Sequence, residues 1–238
     1  MIYITGDMHG ERARFSAMAD SGALPKKGDT LIVCGDFGFL FAADAAENAF
    51  LDSLEQLPYD ICFCDGNHEN FPALFACPEQ TRYGGRVHRI RRNVFHLMRG
   101  EIFEMEGNRF FVMGGAFSTD RFVRTVGRSY WEEELPCNAE YRAAIQNLAG
   151  VGNKVDYIVT HTAPREIIRM MGHYPDPCDG ELTGFFDWIA HEVQFRRWFF
   201  GHWHTDREIA GRFRALWFDT VRVPRSPEEK NKEISQPC

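Results

Sequence analysis

The sequence predicts an α/β fold, on three observations. Short apolar runs, Ile2 to Thr5, Thr30 to Cys34 and Tyr59 to Cys64, have the length and β-rich content of buried strands. Helix-periodic segments separate them, so each successive pair reads as a right-handed βαβ unit in a parallel sheet. Each run also ends in a polar loop holding Asp, Asn or His.

The elements follow in chain order. Glu11 to Ser21 reads as a helix, with Phe15, Met18 and Ala19 at helical spacing and Gly22 and Pro25 ending it. Ala42 to Leu57 is helical, with an apolar face of Ala45, Ala49, Leu51, Leu54 and Leu57. Val87 to Ile90 and Val94 to Leu97 read as short strands. Glu101 to Glu106 and Arg109 to Met113 flank Gly107-Asn108, a hairpin signal. Gly114 to Arg128 is a long polar loop, unusual for a passive connection. Trp131 to Leu135 and Ala139 to Ala149 are predicted helices. Val155 to Thr160 is a strand that ends at His161, and Arg165 to Met171 a helix opened by Pro164. Leu182 to Val193 is helical. Arg197 to Phe200 is a strand that ends in Gly201-His202-Trp203-His204. Arg207 to Ile209 and Arg212 to Phe218 fit a hairpin over Gly211. One domain over residues 1–223 is expected, with a charged, disordered tail over 224–238.

Composition bounds the function. With 44% hydrophobic and 14% aromatic residues in 238, the chain can bury a full core. A net charge of -7 argues against bulk binding of nucleic acid. There is no leader-like start and no apolar run of spanning length, so neither signal peptide nor membrane segment is expected. Seven cysteines, without Cys-x-x-Cys spacing, read as reduced thiols in a cytoplasmic protein. Cys62 and Cys64 share a strand face, for which core packing is sufficient reason.

The chemistry gathers at the strand ends. Asp7 and His9, Asp36, Asn67 and His68, His161, and His202 and His204 follow five separate apolar strands. Any one alone is an ordinary turn. Together they form a hard-to-borderline ligand set without thiolate, suited to two divalent ions such as Mn, Fe, Ni or Zn. In α/β sheets this strand mouth is where ligands bind.

These blocks, Asp7-Met8-His9, Gly35-Asp36, Gly66-Asn67-His68-Glu69, His161 and Gly201-His202-Trp203-His204, resemble in order the five blocks of the calcineurin-like metallophosphoesterase superfamily. The resemblance implies a four-layer α/β/β/α sandwich of two mixed sheets, with a dinuclear metal site at the strand C-terminal ends. It implies Asp7, His9 and His204 on one metal, Asn67, His161 and His202 on the other, and Asp36 bridging both. His68 would be the catalytic histidine outside the metal shell. The implied reaction is hydrolysis of a phosphoric ester by a metal-bridging hydroxide, with manganese the favoured ion. Two ions roughly 3.5–4 Å apart would clamp the phosphoryl group. The substrate would be a phosphorylated small molecule, nucleotide or phosphoprotein. Phosphodiesterase or nucleotide hydrolase activity is the alternative, and a non-catalytic interaction scaffold, as in retromer, a further one.

The chain also departs from the family pattern. Phe37-Gly38 follows Asp36 where many protein phosphatases carry a second Asp and an Arg, and Asn70 rather than Arg follows Glu69. The carboxylate that orients His68 and the arginines that grip phosphate are missing there. The long loop offers Asp120, Arg121 and Arg124 as substitutes, since arginine matches phosphate oxygens with a planar fork. Phe37, Trp131 and Trp203 are read as core aromatics, with stacking on a substrate ring as the competing role.

Overall fold

The computed structural model describes residues 1–20, 22 and 24–226. Two mixed sheets form the centre. In the first, β1 (Ile2–Thr5), β2 (Thr30–Val33), β3 (Asp60–Phe63) and β6 (Val94–Leu97) run parallel. The hairpin β4 (Glu79–Arg82) and β5 (Gly85–Arg91) extends one side, and antiparallel β13 (Thr220–Val223) closes the other. In the second, β8 (Asn108–Met113), β9 (Tyr157–Thr160), β10 (Arg197–Phe200) and β12 (Phe213–Ala215) are parallel. Antiparallel β7 (Glu101–Met105) and β11 (Arg207–Ile209) form its edges.

Strand alternation sorts the core into three interfaces. Ile4, Ile32, Cys62 and Cys64 point from the first sheet toward Phe110, Val112, Val159 and Phe199 of the second. Their sequence neighbours Leu31, Val33, Ile61 and Phe63 face the other way. They pack on α1 (Ala13–Asp20), α2 (Ala45–Leu54) and α3 (Phe71–Phe75). Phe111, Ile158, Trp198 and Phe200 likewise pack on α4 (Asn138–Gly150), α5 (Arg165–Met170) and α6 (Gly180–Glu192). Three apolar interfaces between two helical and two sheet layers make the α/β/β/α sandwich that the resemblance implied. The period of two in a strand is the cause. Cys62 and Cys64 therefore belong to the sheet-to-sheet core, where burial pushes their thiols up.

Three elements depart from the sequence reading. Helix α3 is capped by the Asn70 side chain, which accepts from Ala73 N–H, and has Pro72 in its first turn. Strand β4 is Glu-Gln-Thr-Arg, polar throughout, as edge strands that resist further pairing tend to be. Strand β13 returns to pair with β1 across the whole chain. Beyond it, Ser226 N–H donates to the Glu106 carbonyl, and Arg225 pairs with the Glu106 carboxylate. The start of the expected tail is thus held against the β7–β8 turn. The remainder of that tail, residues 227–238, lies outside the described residues.

A buried ion network sits behind β3. The Arg99 guanidinium donates to Asp65 from Nε at 2.8 Å and Nη2 at 2.5 Å, and also reaches the Glu133 and Glu134 carbonyls. His96 Nε2 lies 3.0 Å from Asp65, and His96 Nδ1 3.0 Å from His88 Nδ1. Burial alone would raise the Asp65 carboxyl, but Arg99 and His96 hold it well below the usual carboxylate range. The network connects the strand that precedes Gly66-Asn67-His68 to the segment that precedes α4.

Candidate metal centre

All five strand ends converge at one edge of the sandwich. Asp7 is buried after β1 and accepts the His202 backbone N–H at 3.0 and 3.1 Å. His204 Nε2 lies 3.2 Å from Asp7 Oδ2, and His9 Nε2 lies 2.8 Å from His204 Nε2. Asp36, after β2, stands between two groups of imidazoles. Its Oδ2 is 3.7 Å from His9 Nδ1 and its Oδ1 3.3 Å from His161 Nε2. Asn67 Oδ1 lies 3.1 Å from the same His161 nitrogen, and Asn67 Nδ2 donates to Ser118 Oγ. His202 is packed edge-on against His161, with ring centroids 4.9 Å apart.

The backbone is bent to achieve this. His9, Asp36, His202 and His204 all have φ between 43° and 65°, a left-handed conformation rare for non-glycine residues. Four such residues in one cluster mark a site where local strain is offset by the surrounding structure. Two glycines make room. A Cβ at Gly66 would lie 2.1 Å from Asp36 Oδ1, and one at Gly201 2.0 Å from Asp7 Oδ1.

The electrostatics suit cation binding. Burial would raise the Asp7 carboxyl, yet contacts with His204 and His9 hold it at about 2. Burial would also raise Asp36, but His161 holds it well below the usual range, so both carboxylates stay ionised. Burial works against a proton on His161, and Asp36 with Asp7 reverses this, raising it to about 10. His161 Nδ1 is 2.8 Å from the Cys34 carbonyl, which can only accept, so Nδ1 carries the proton. With no cation present Nε2 carries a proton as well, shared between Asn67 Oδ1 and Asp36 Oδ1; a cation there would take that proton's place, with the Cys34 carbonyl as the outer partner usual for a metal-ligating histidine. Burial, and then the charge of His161, lower His202 to about 4, which favours its neutral form. Asp7/His9/His204, His9/Asp36/His68 and Asp7/Asp36/His161 each bring three donor atoms within 4.8 Å of one another. Oxygen and imidazole donors meeting at two buried carboxylates fit divalent cations.

The long loop folds over this cleft, and its charged residues take different directions. Thr119, Asp120 and Arg124 line the cleft beside Asp36, Asn67, His68 and His202, around a cavity of about 220 Å³. Arg124 Nη2 donates to His68 Nε2 at 2.7 Å, and its Nε pairs with Asp120 at 2.7 Å. Because a guanidinium only donates, His68 Nε2 accepts and its proton sits on Nδ1. Burial, then Arg124, lower the His68 basicity against the pull of Asp36. The His68 backbone N–H also donates to Asp36 Oδ1.

Arg121 corrects the sequence expectation: it turns away from the cleft. Its guanidinium pairs with buried Glu134 at 2.9 Å and lies over the Phe117 and Tyr130 rings. The intervening single turn, Arg121–Val123, separates the two arginines. Glu134 in turn accepts from the Ser118 N–H and hydroxyl, and so supports the residue that orients Asn67. Glu69 accepts from Phe37 and Gly38 N–H, which ties the third loop to the second. Nothing in the sequence distinguishes Glu134 from its neighbours Glu132 and Glu133. Phe37 and Trp131 are buried, and Trp203 packs on His173 and His202.

Residues 1–206 match the calcineurin-like phosphoesterase family, and the chain belongs to that family. The family is one of metal-dependent phosphoesterases, and the clustered carboxylates and imidazoles can hold metal. No curated protein matches the chain.

Proposed function

We propose that the chain hydrolyses phosphoric esters with two divalent cations, manganese being the favoured ion. Asp7, His9 and His204 would hold one, Asn67, His161 and His202 the other, and Asp36 both. The observation that carries the reading is the position of Asp36, whose two oxygens face His9 and His161 separately. Bound cations of this kind supply an activated water at neutral pH and offset charge on the phosphoryl oxygens. The residues do the rest. Arg124 transfers its hydrogen bond from His68 Nε2 to a phosphoryl oxygen, which is a charge-assisted contact. That frees His68 Nε2 to take up a proton from solvent, beside the one on Nδ1, and to donate it to the departing oxygen. Asp120 keeps the Arg124 fork aimed into the cleft. Six unpaired cysteines among the described residues fit a reducing compartment, here the cytoplasm.

Manganese-loaded protein is expected to contain two ions by elemental analysis and to hydrolyse aryl phosphate monoesters or diesters. Less than one ion together with no hydrolysis of either class would overturn the reading in favour of a scaffold. The two loop arginines give a second contrast. Arg124→Ala should raise KM and lower kcat/KM by about 10- to 100-fold, the loss of one charge-assisted phosphate contact. Arg121→Ala should act instead through stability, since Glu134 loses the partner that opposes its burial. Unchanged kinetics in Arg124→Ala would remove this residue from the substrate site.

A further inference from the structure

A second cavity, of about 440 Å³, adjoins the metal cleft, and its walls include Phe39, Phe41, Phe50 and Arg12. His9 and His68 line both spaces. An ester with its phosphoryl group in the cleft and its leaving oxygen at His68 can extend its leaving group past that boundary into the second cavity. We propose, resting on the hydrolase reading above, that this leaving group carries a flat aromatic ring, seated against Phe41 and Phe50.

The walls are built for such a ring. Phe39 and Phe50 have centroids 4.6 Å apart, and Phe39 is fully buried behind the half-buried Phe50. Phe41 lies 5.6 Å from Trp131, edge to face, and 6.2 Å from the His68 ring. Phe41 therefore spans the gap between the core and the boundary histidine. Its backbone is fixed. The Glu47 carboxylate accepts from the N–H groups of Phe41, Ala42 and Ala43, and the Phe41 carbonyl accepts from Asn70 Nδ2. A wall held in this way costs little ordering when a ligand enters. Arg12 lies over the Phe50 ring at 4.8 Å and donates to the Ala46 carbonyl, placing a cation at the rim. Flat rings stack on such faces, and heteroatoms at a ring edge can meet the guanidinium. The volume lies within the range of small-molecule pockets and exceeds the needs of a phosphate alone. Two sources share this chemistry: a nucleoside, with its base one sugar away from the ester oxygen, and an arylalkyl alcohol.

Matched ester pairs test the proposal, because each keeps a primary alcohol as leaving group and changes the flat ring, removed in the first pair and saturated in the second. Adenosine 5′-monophosphate is compared with ribose 5-phosphate, and benzyl phosphate with cyclohexylmethyl phosphate. At least one pair should show a kcat/KM ratio of about tenfold or more, the scale of one ring stacked on an aromatic side chain. Phe50→Leu, which keeps the apolar bulk, should bring that ratio close to one. Preference confined to the first pair identifies a nucleoside, and to the second an arylalkyl group. Metal-free protein should also bind adenosine or benzyl alcohol, seen as NMR shifts at Phe41 that Phe50→Leu abolishes. Ratios near one with no ring binding would overturn the ring proposal and leave the hydrolase reading intact. Ring binding without hydrolysis of any ester would do the reverse.

Discussion

Asp36→Asn is expected to lower kcat/KM by at least about 10³-fold, beyond the 10- to 100-fold typical of losing an outer partner of a metal ligand. The reason is positional. Among the described residues, Asp36 is the side chain whose separate oxygens face both imidazole groups, at 3.7 Å from His9 and 3.3 Å from His161. An amide of nearly the same shape removes the charge and replaces one acceptor oxygen with a donor nitrogen. Metal content should fall from two ions toward one or none, while circular dichroism stays that of the native chain. The substitution also releases His161 from the carboxylate that raises its basicity. Turnover retained in Asp36→Asn at wild-type metal content would refute Asp36 as the carboxylate that holds both ions.

Arg99→Met should cost about 3–5 kcal/mol of folding stability, the range for removing one partner of a buried ion pair. Arg99 and Asp65 are both almost fully buried, and the guanidinium makes two hydrogen bonds to the carboxylate. Without it, Asp65 keeps only His96 as a partner and loses the main influence that offsets its burial. The Glu133 and Glu134 carbonyls lose a donor as well. Urea unfolding measures the loss directly. The double variant Arg99→Met with Asp65→Leu should recover much of it, since no isolated charge remains. A single-variant cost below about 1 kcal/mol, typical of exposed pairs, would show that the pair is not desolvated as its geometry indicates.

The fold was legible where the core lies and obscure where pairing is remote or exposed. Alternating residues such as Ile32 and Val33, or Cys62 and Phe63, divide between two apolar interfaces, so buried strands appear as continuous apolar runs. Strand β4 has no apolar residue to announce it, and β13 forms through pairing with a strand over two hundred residues earlier. Helix α3 carried a signal, Asn70 before Phe71-Pro72, concealed by its closeness to the Gly-Asn-His-Glu block. The metal-ligand types were legible because each follows a strand directly. The support around them was not. Arg121 and Arg124 are three residues apart and alike in sequence, yet one meets Glu134 and the other His68. Asp65 and Arg99 are written as ordinary charges and become a buried pair only when β3 and the segment after β6 come together.

The distribution of the ligands between the two sheets sets an order of events during synthesis. Asp7, His9, Asp36 and Asn67 belong to the early part of the chain and reach the growing protein's surroundings first. His161, His202 and His204 follow strands of the second sheet, so a ribosome that has released only β1 to β6 displays four of the seven proposed donors. Chains emerge at about 5–20 residues per second, which leaves this half-built arrangement exposed for several seconds at least. An early-arriving cation would find an incomplete, weakly held shell and could leave again. If these seven residues hold the ions as proposed, the shell would be complete only after β10 has docked beside β9, and the choice of ion would fall to a nearly finished molecule.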